Sequence, residues 1–194
     1  SRRIPGTAIE VIREVPPGTA IRHALFDFDG TLSLIREGWP AVMVSMMTEE
    51  LLATGTGETA DEIARLCLEF VMRLNGKQTI YQMIELAAEI EKRGGTPQDP
   101  VVYKERYHDR LLRKIAHRRE ALRTGAARPE DHLVSGALGL LAALRDRGLP
   151  LYLASGTDHD DVRREAEALG YAALFDGGIY GALGDGLAHS KRRV

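Results

Sequence analysis

The chain has a single cysteine in 194 residues, Cys67, so it can form no internal disulfide and suits a reducing compartment. It has no apolar run near the roughly 20 residues of a membrane span, and its first residues lack the apolar core of a secretory signal. The expectation is a cytoplasmic, soluble protein without a membrane partner. It also lacks a dominant charge: 26 basic against 28 acidic side chains leave a formal charge of −2. That balance argues against a broad electrostatic pull toward nucleic acid or anionic lipid. Arginines crowd between Arg106 and Arg128, but acids are interleaved with them in the manner of a solvated helix face. The six histidines show no metal-ligand spacing, and there is no internal repeat or low-complexity tract. What is present, 44% apolar and 28% charged residues, is the composition of a globular domain, alone or carrying a smaller insertion.

Along the chain, AIEVIREVPPGTAIRHALFDFDG predicts two extended runs joined at Pro16-Pro17-Gly18. The prolines bar a helix there and the glycine supplies backbone freedom. The second run, Ile21 to Phe28, is apolar enough toward its end for a buried central strand. After Thr31 the periodicity becomes helical. Pro40 suits a first turn ahead of AVMVSMMTEELLA. Thr59-x-x-Glu62 and Thr79-x-x-Gln82 read as capping boxes for the next two helices, the first of which packs Cys67. Asp99-Pro100 opens a long helix in which Tyr103, Tyr107, Leu111 and Ile115 recur every four residues as a buried stripe. Residues 36–129 thus read as a four-helix insert. From Ser135 the order is a helix (LGLLAALRDRG), a strand (PLYLAS), a helix (DHDDVRREAEALG, with Asp158 at its N-cap) and a short extended LFDGGIYG. That alternation predicts an α/β fold with a parallel sheet.

LFDFDGTL, residues 25–32, carries the chemistry. Asp27 and Asp29 are two apart at a strand end, so both side chains can face one spot where ligands of open α/β sheets bind. Gly30 and Thr31 follow in a turn whose backbone N–H groups can face an anion. Two close carboxylates push one pKa upward unless a cation sits with them. Mg²⁺ suits such a pair, because it takes oxygen ligands from one or two carboxylates and a substrate phosphate. The spacing alone fits equally well a turn bearing two solvated aspartates. His159 is the one histidine near this spot in the expected layout and reads as a solvent-facing helix start.

Residues 27–31, DFDGT, after an apolar strand, together with LYLASGT, resemble the first and second motifs of the haloacid dehalogenase-like superfamily. Lys191, in AHSKRRV, is the best candidate for that superfamily's motif lysine. The resemblance implies a Rossmann-like parallel-sheet core, residues 1–35 and 130–194, with an inserted α-helical cap domain over 36–129. One departure stands out. The superfamily's fourth motif is a further apolar strand ending in acids, and no such strand precedes Val194; Asp185, in GDG, reads as a loop residue.

The same resemblance implies a Mg²⁺-dependent phosphatase, of the sugar-phosphate or phosphoglycolate type, working through an aspartyl-phosphate. Asp27 would attack phosphorus and ligate Mg²⁺ with Asp29, and Asp29 would protonate the leaving oxygen and then activate water. Ser155 and the Gly156 amide would bind the phosphoryl oxygens beside Gly30 and Thr31, and Lys191 would neutralise charge. For Ser155 an ordinary helix N-cap is the other reading, and for Lys191 a solvated lysine. Arg36, Trp39 and Lys77 lie where caps contact the leaving group. The expected partner is a small-molecule phosphate, and the expected assembly a monomer or homodimer. A phosphomutase of the β-phosphoglucomutase type and a catalytically silent binding protein of the same fold are the alternatives. Dehalogenases lack an acid at the position of Asp29, so its presence favours phosphate chemistry.

Overall fold

The computed structural model describes residues 1–183. A three-stranded parallel sheet, β3 (Ala24–Phe26), β4 (Leu151–Asp158) and β5 (Gly178–Ala182), has the order β3-β4-β5. Helices α1 (Trp39–Leu52), α2 (Ala60–Arg73), α3 (Thr79–Lys92) and α4 (Pro100–Thr124) all lie between β3 and β4 in sequence. Helix α5 (Ala137–Asp146) then leads into β4, and α6 (His159–Ala168) crosses from β4 to β5. This is the parallel α/β arrangement that the alternation predicts. Among the described residues β4 is the central strand: Leu151, Leu153 and Ala154 are buried, whereas Leu25 on β3 is half exposed.

Two helices of the insert are built as their sequence patterns require. Thr59 and Glu62 form a complete capping box at the start of α2, and Ile63, Cys67, Phe70 and Val71 make its buried stripe. Burial pushes the Cys67 thiol up to about 11, which makes it inert. On α4 the buried residues are Tyr103, Tyr107, Leu111 and Ile115. Each such side chain removed from water contributes roughly 1.5–3 kcal/mol. The arginines of α4 are largely paired: Arg106 with Glu50, Arg110 with Glu49 at 2.7 Å, and Arg119 with Asp161 at 3.6 Å.

The two chain crossings between sheet and insert run side by side. Ser33 and Leu133 form an antiparallel bridge, the Leu34 N–H donates to the His132 carbonyl (2.8 Å), and the Val134 N–H donates to that of Leu32 (3.0 Å). Arg118 of α4 clasps the outgoing crossing by donating to the carbonyls of Ile35 and Glu37 at 2.8 and 2.9 Å. The long helix is thereby seated over the carboxyl ends of the strands.

Four local expectations need correction. The first extended run is only a two-residue hairpin, β1 (Arg2–Arg3) with β2 (Glu10–Val11). Ile12, Val15 and Ile21 beyond it are exposed and bury nothing that would hold a strand. The second run pairs only from Ala24, because Ala24 lies opposite Leu151, the first residue of β4. Its far end is cut short where the Phe28 carbonyl accepts from the amides of Thr31, Leu32 and Ser33. Thr79 is the first residue of α3 rather than its cap; Gln78 holds that place without a side-chain hydrogen bond. Asp158 does occupy the N-cap of α6, but its carboxylate accepts from Lys104 Nζ (2.8 Å) instead of capping.

Candidate active site

Asp27 and Asp29 follow β3 directly, and Phe28 between them is fully buried. With the middle side chain driven into the core, its neighbours turn toward the opposite side. Both line a cavity of about 460 Å³ between the strand ends and helices α1–α4, a volume typical of small-molecule sites. Gly30, Thr31, Arg36, Trp39, Lys77, Ser155 and Gly156 border the same cavity, so these sequence candidates converge. Lys191 lies outside the described residues, as does Asp185. His159 lies off this cavity, half-buried at the start of α6.

The turn after Asp29 differs from its expected use. Gly30 has φ +73°, the left-handed conformation that glycine adopts freely, and its N–H donates to the Ser33 carbonyl (2.9 Å). The Thr31 N–H donates to that of Phe28 (3.2 Å). Both amides are therefore engaged inside the turn rather than turned toward an anion. Gly156 is favoured for a different reason. A Cβ there would stand 3.1 Å from the Lys77 carbonyl, so the α2–α3 loop rests directly on the strand end.

Asp29 is held from two sides. Its Oδ2 accepts from the Thr157 hydroxyl at 2.8 Å. Its Oδ1 is buried with no hydrogen bond among the described residues, 3.9 Å from Arg36 Nε. Burial pushes its carboxyl up to about 6, with Glu165 and Asp27 adding to the rise and Arg36 and Thr157 opposing it. Asp27 and Asp29, which both border the cavity, offer hard oxygen donors of the kind Mg²⁺ takes alongside water and phosphate. Among the described residues no cluster of three or more His, Cys, Asp or Glu side chains could hold a metal.

Arg36 supplies a positive charge beside the acid pair. It borders the cavity as the substrate-contact expectation requires, but its charge is already committed inside the protein. The guanidinium is 5% exposed and donates twice to Glu165, at 3.0 and 2.9 Å, with Asp161 Oδ2 at 3.3 Å. Asp161 in turn faces Arg164 (2.7 Å), Arg119 (3.6 Å) and His108 (3.5 Å). Burial alone would raise the Asp161 pKa, but Arg164, Arg36 and Arg119 together hold it below the usual carboxylate range. Glu165, Asp161 and Thr157 are absent from the sequence reading. A signal was there: on α6, Asp161 and Glu165 share the buried face of Val162 and Ala166, and acids in an apolar stripe demand a partner.

The raised Asp29 pKa has a consequence for stability. The folded state binds this proton more tightly than the unfolded chain, so the group favours folding below about pH 4 and loses that contribution as pH rises through about 6. In chelator at pH 7, Asp29→Asn should therefore stabilise the protein by on the order of 2–3 kcal/mol. Thermal melts at pH 4 and pH 7 check this: the gain should appear at pH 7 and shrink toward pH 4. A lower melting temperature at pH 7 would contradict it.

A family model described as haloacid dehalogenase-like hydrolase matches residues 21–193. No curated protein matches the chain. Among solved structures, a predicted phosphatase from Clostridium acetobutylicum shares 19% identity and a TM-score of 0.52, over 87% of this chain and 64% of its own. A HAD hydrolase of family IA, variant 3, from Entamoeba histolytica has 18% identity and a TM-score of 0.47, over 82% and 61%. A HAD-hydrolase from Bacillus subtilis bound to magnesium has 17% identity and a TM-score of 0.44, over 84% and 64%. The chain thus spans less than two thirds of the length of each. The first similarity establishes the shared fold.

Proposed function

Because the chain belongs to the haloacid dehalogenase-like hydrolase family, we propose that it is a Mg²⁺-dependent phosphatase of a small phosphorylated metabolite, working through an aspartyl-phosphate. The observation that carries this reading is the convergence of Asp27 and Asp29 with Ser155 and Gly156 on one cavity at the strand ends, where burial raises the Asp29 carboxyl as a general acid needs. A general acid–base works best when its pKa lies near the operating pH.

In this mechanism an Asp27 oxygen attacks phosphorus as the bond from phosphorus to the leaving oxygen breaks. Asp29 gives its proton to that oxygen, which departs as an alcohol. The Asp29 carboxylate then takes a proton from water, whose oxygen attacks phosphorus and releases inorganic phosphate from Asp27. The Ser155 hydroxyl and Gly156 amide hold phosphoryl oxygens, and Lys191 neutralises their charge. Asp27 and Asp29 would hold Mg²⁺, which when bound supplies positive charge against the phosphoryl group. The cap side of the cavity, with Trp39 and Lys77, surrounds the leaving group, and its size favours a small metabolite. A panel of sugar and organic-acid phosphates tests the reading. We expect inorganic phosphate from at least one of them in Mg²⁺, and none in chelator. Phosphate moved within a sugar without release would instead indicate a mutase, and no reaction with any substrate would contradict both.

A further inference from the structure

We propose that Thr157 and Arg36 are positioning residues that aim the Asp29 carboxyl at the leaving group, with Glu165 acting through Arg36. The inference rests on the phosphatase reading above. Thr157 joins two parts of the site. Its backbone N–H donates to Ser155 Oγ at 3.0 Å, and its hydroxyl donates to Asp29 Oδ2 at 2.8 Å. One residue therefore sets the acid relative to the side chain that holds the phosphate. Asp29 Oδ1 is the inward oxygen, buried against Arg36, while Oδ2 bonds Thr157, which itself borders the cavity. A threonine hydroxyl both donates and accepts, so it can hold Oδ2 as carboxylate and as carboxylic acid. Arg36 stands behind the inward oxygen and cannot swing away, because Glu165 fixes its guanidinium at two points. The Asp29 carboxyl plane is thereby defined from both ends.

The step at stake is the first: the bond from phosphorus to the leaving oxygen breaks, an Asp27 oxygen bonds to phosphorus, and the Asp29 proton moves to the departing oxygen. An alkoxide needs that proton, whereas p-nitrophenolate leaves without it. The kcat/KM value covers events up to that departure, so it isolates the acid role from the later water step. In Mg²⁺, Thr157→Val should lower the ratio of kcat/KM on the best alkyl phosphate to that on p-nitrophenyl phosphate by about tenfold or more. Thr157→Ser should restore it, and Glu165→Gln should lower it in the same sense. Asp29→Asn should lower the ratio furthest, and adding Thr157→Val to it should change nothing more. A purely structural role would depress both substrates together. Equal losses on the two substrates, or an unchanged ratio in Thr157→Val, would overturn the inference while leaving the phosphatase reading standing. If the unmodified protein hydrolyses neither substrate, the phosphatase reading fails and this inference fails with it.

Discussion

Asp27→Asn should reduce phosphate release by at least about a thousandfold while leaving the melting temperature within a few degrees. The carboxylate is the group that bonds to phosphorus, and a neutral amide oxygen is a far weaker nucleophile. The substitution is nearly isosteric, so the path of the chain after β3 need not change. Asp27→Glu should fail almost as badly, because one added methylene moves the attacking oxygen by more than the tolerance of an in-line displacement. Initial rates with Mg²⁺ and the best substrate of the panel, beside a thermal melt, decide the matter. A rate within tenfold of the unmodified protein would place the nucleophile elsewhere.

The second large effect is on stability. Glu165→Ala should destabilise the protein by about 3–5 kcal/mol, because it strips Arg36 of its bidentate partner inside the molecule. Arg36 retains Asp161 at 3.3 Å and Asp29 at 3.9 Å, which draws the expected loss toward the lower end. For a chain of this size each kcal/mol lowers the melting temperature by roughly 2–4 °C, so a drop on the order of 10 °C is expected. Arg36→Met combined with Glu165→Met should recover only part of it, since the apolar pair carries no desolvation penalty but Asp161 and Asp29 lose the Arg36 charge. If Glu165→Ala melts within 2 °C of the unmodified protein, the buried Arg36–Glu165 pair does not carry the stability assigned to it.

The two chemistries were unequally legible in the sequence. Asp27 and Asp29 were visible because their placement depends on local geometry: two residues apart around a buried Phe28, at the end of an apolar run. The Thr59–Glu62 box and the four-residue spacing of Tyr103, Tyr107, Leu111 and Ile115 were legible for the same reason. Contacts closed by folding were not. Arg36 and Glu165 are 129 residues apart, and Thr157 and Asp29 are 128 apart. Nothing near Arg36 in the sequence separates a substrate-facing guanidinium from one locked to a core helix. Asp158 shows the same competition at short range: a helix N-cap by position, it pairs instead with Lys104 of the cap, 54 residues away. The N-terminal run shows the limit of apolar patterning, since Ile12, Val15 and Ile21 are exposed and order no strand.

The most direct test asks whether Asp27 becomes phosphorylated. Protein mixed with its best substrate in Mg²⁺ and quenched with borohydride during turnover should carry homoserine in place of one aspartate, because borohydride reduces acyl phosphates and spares free carboxylates. Peptide mass analysis should find that change at Asp27 alone. Reduction at Asp29 or any other acid, or turnover with no reduced residue at all, would contradict the account.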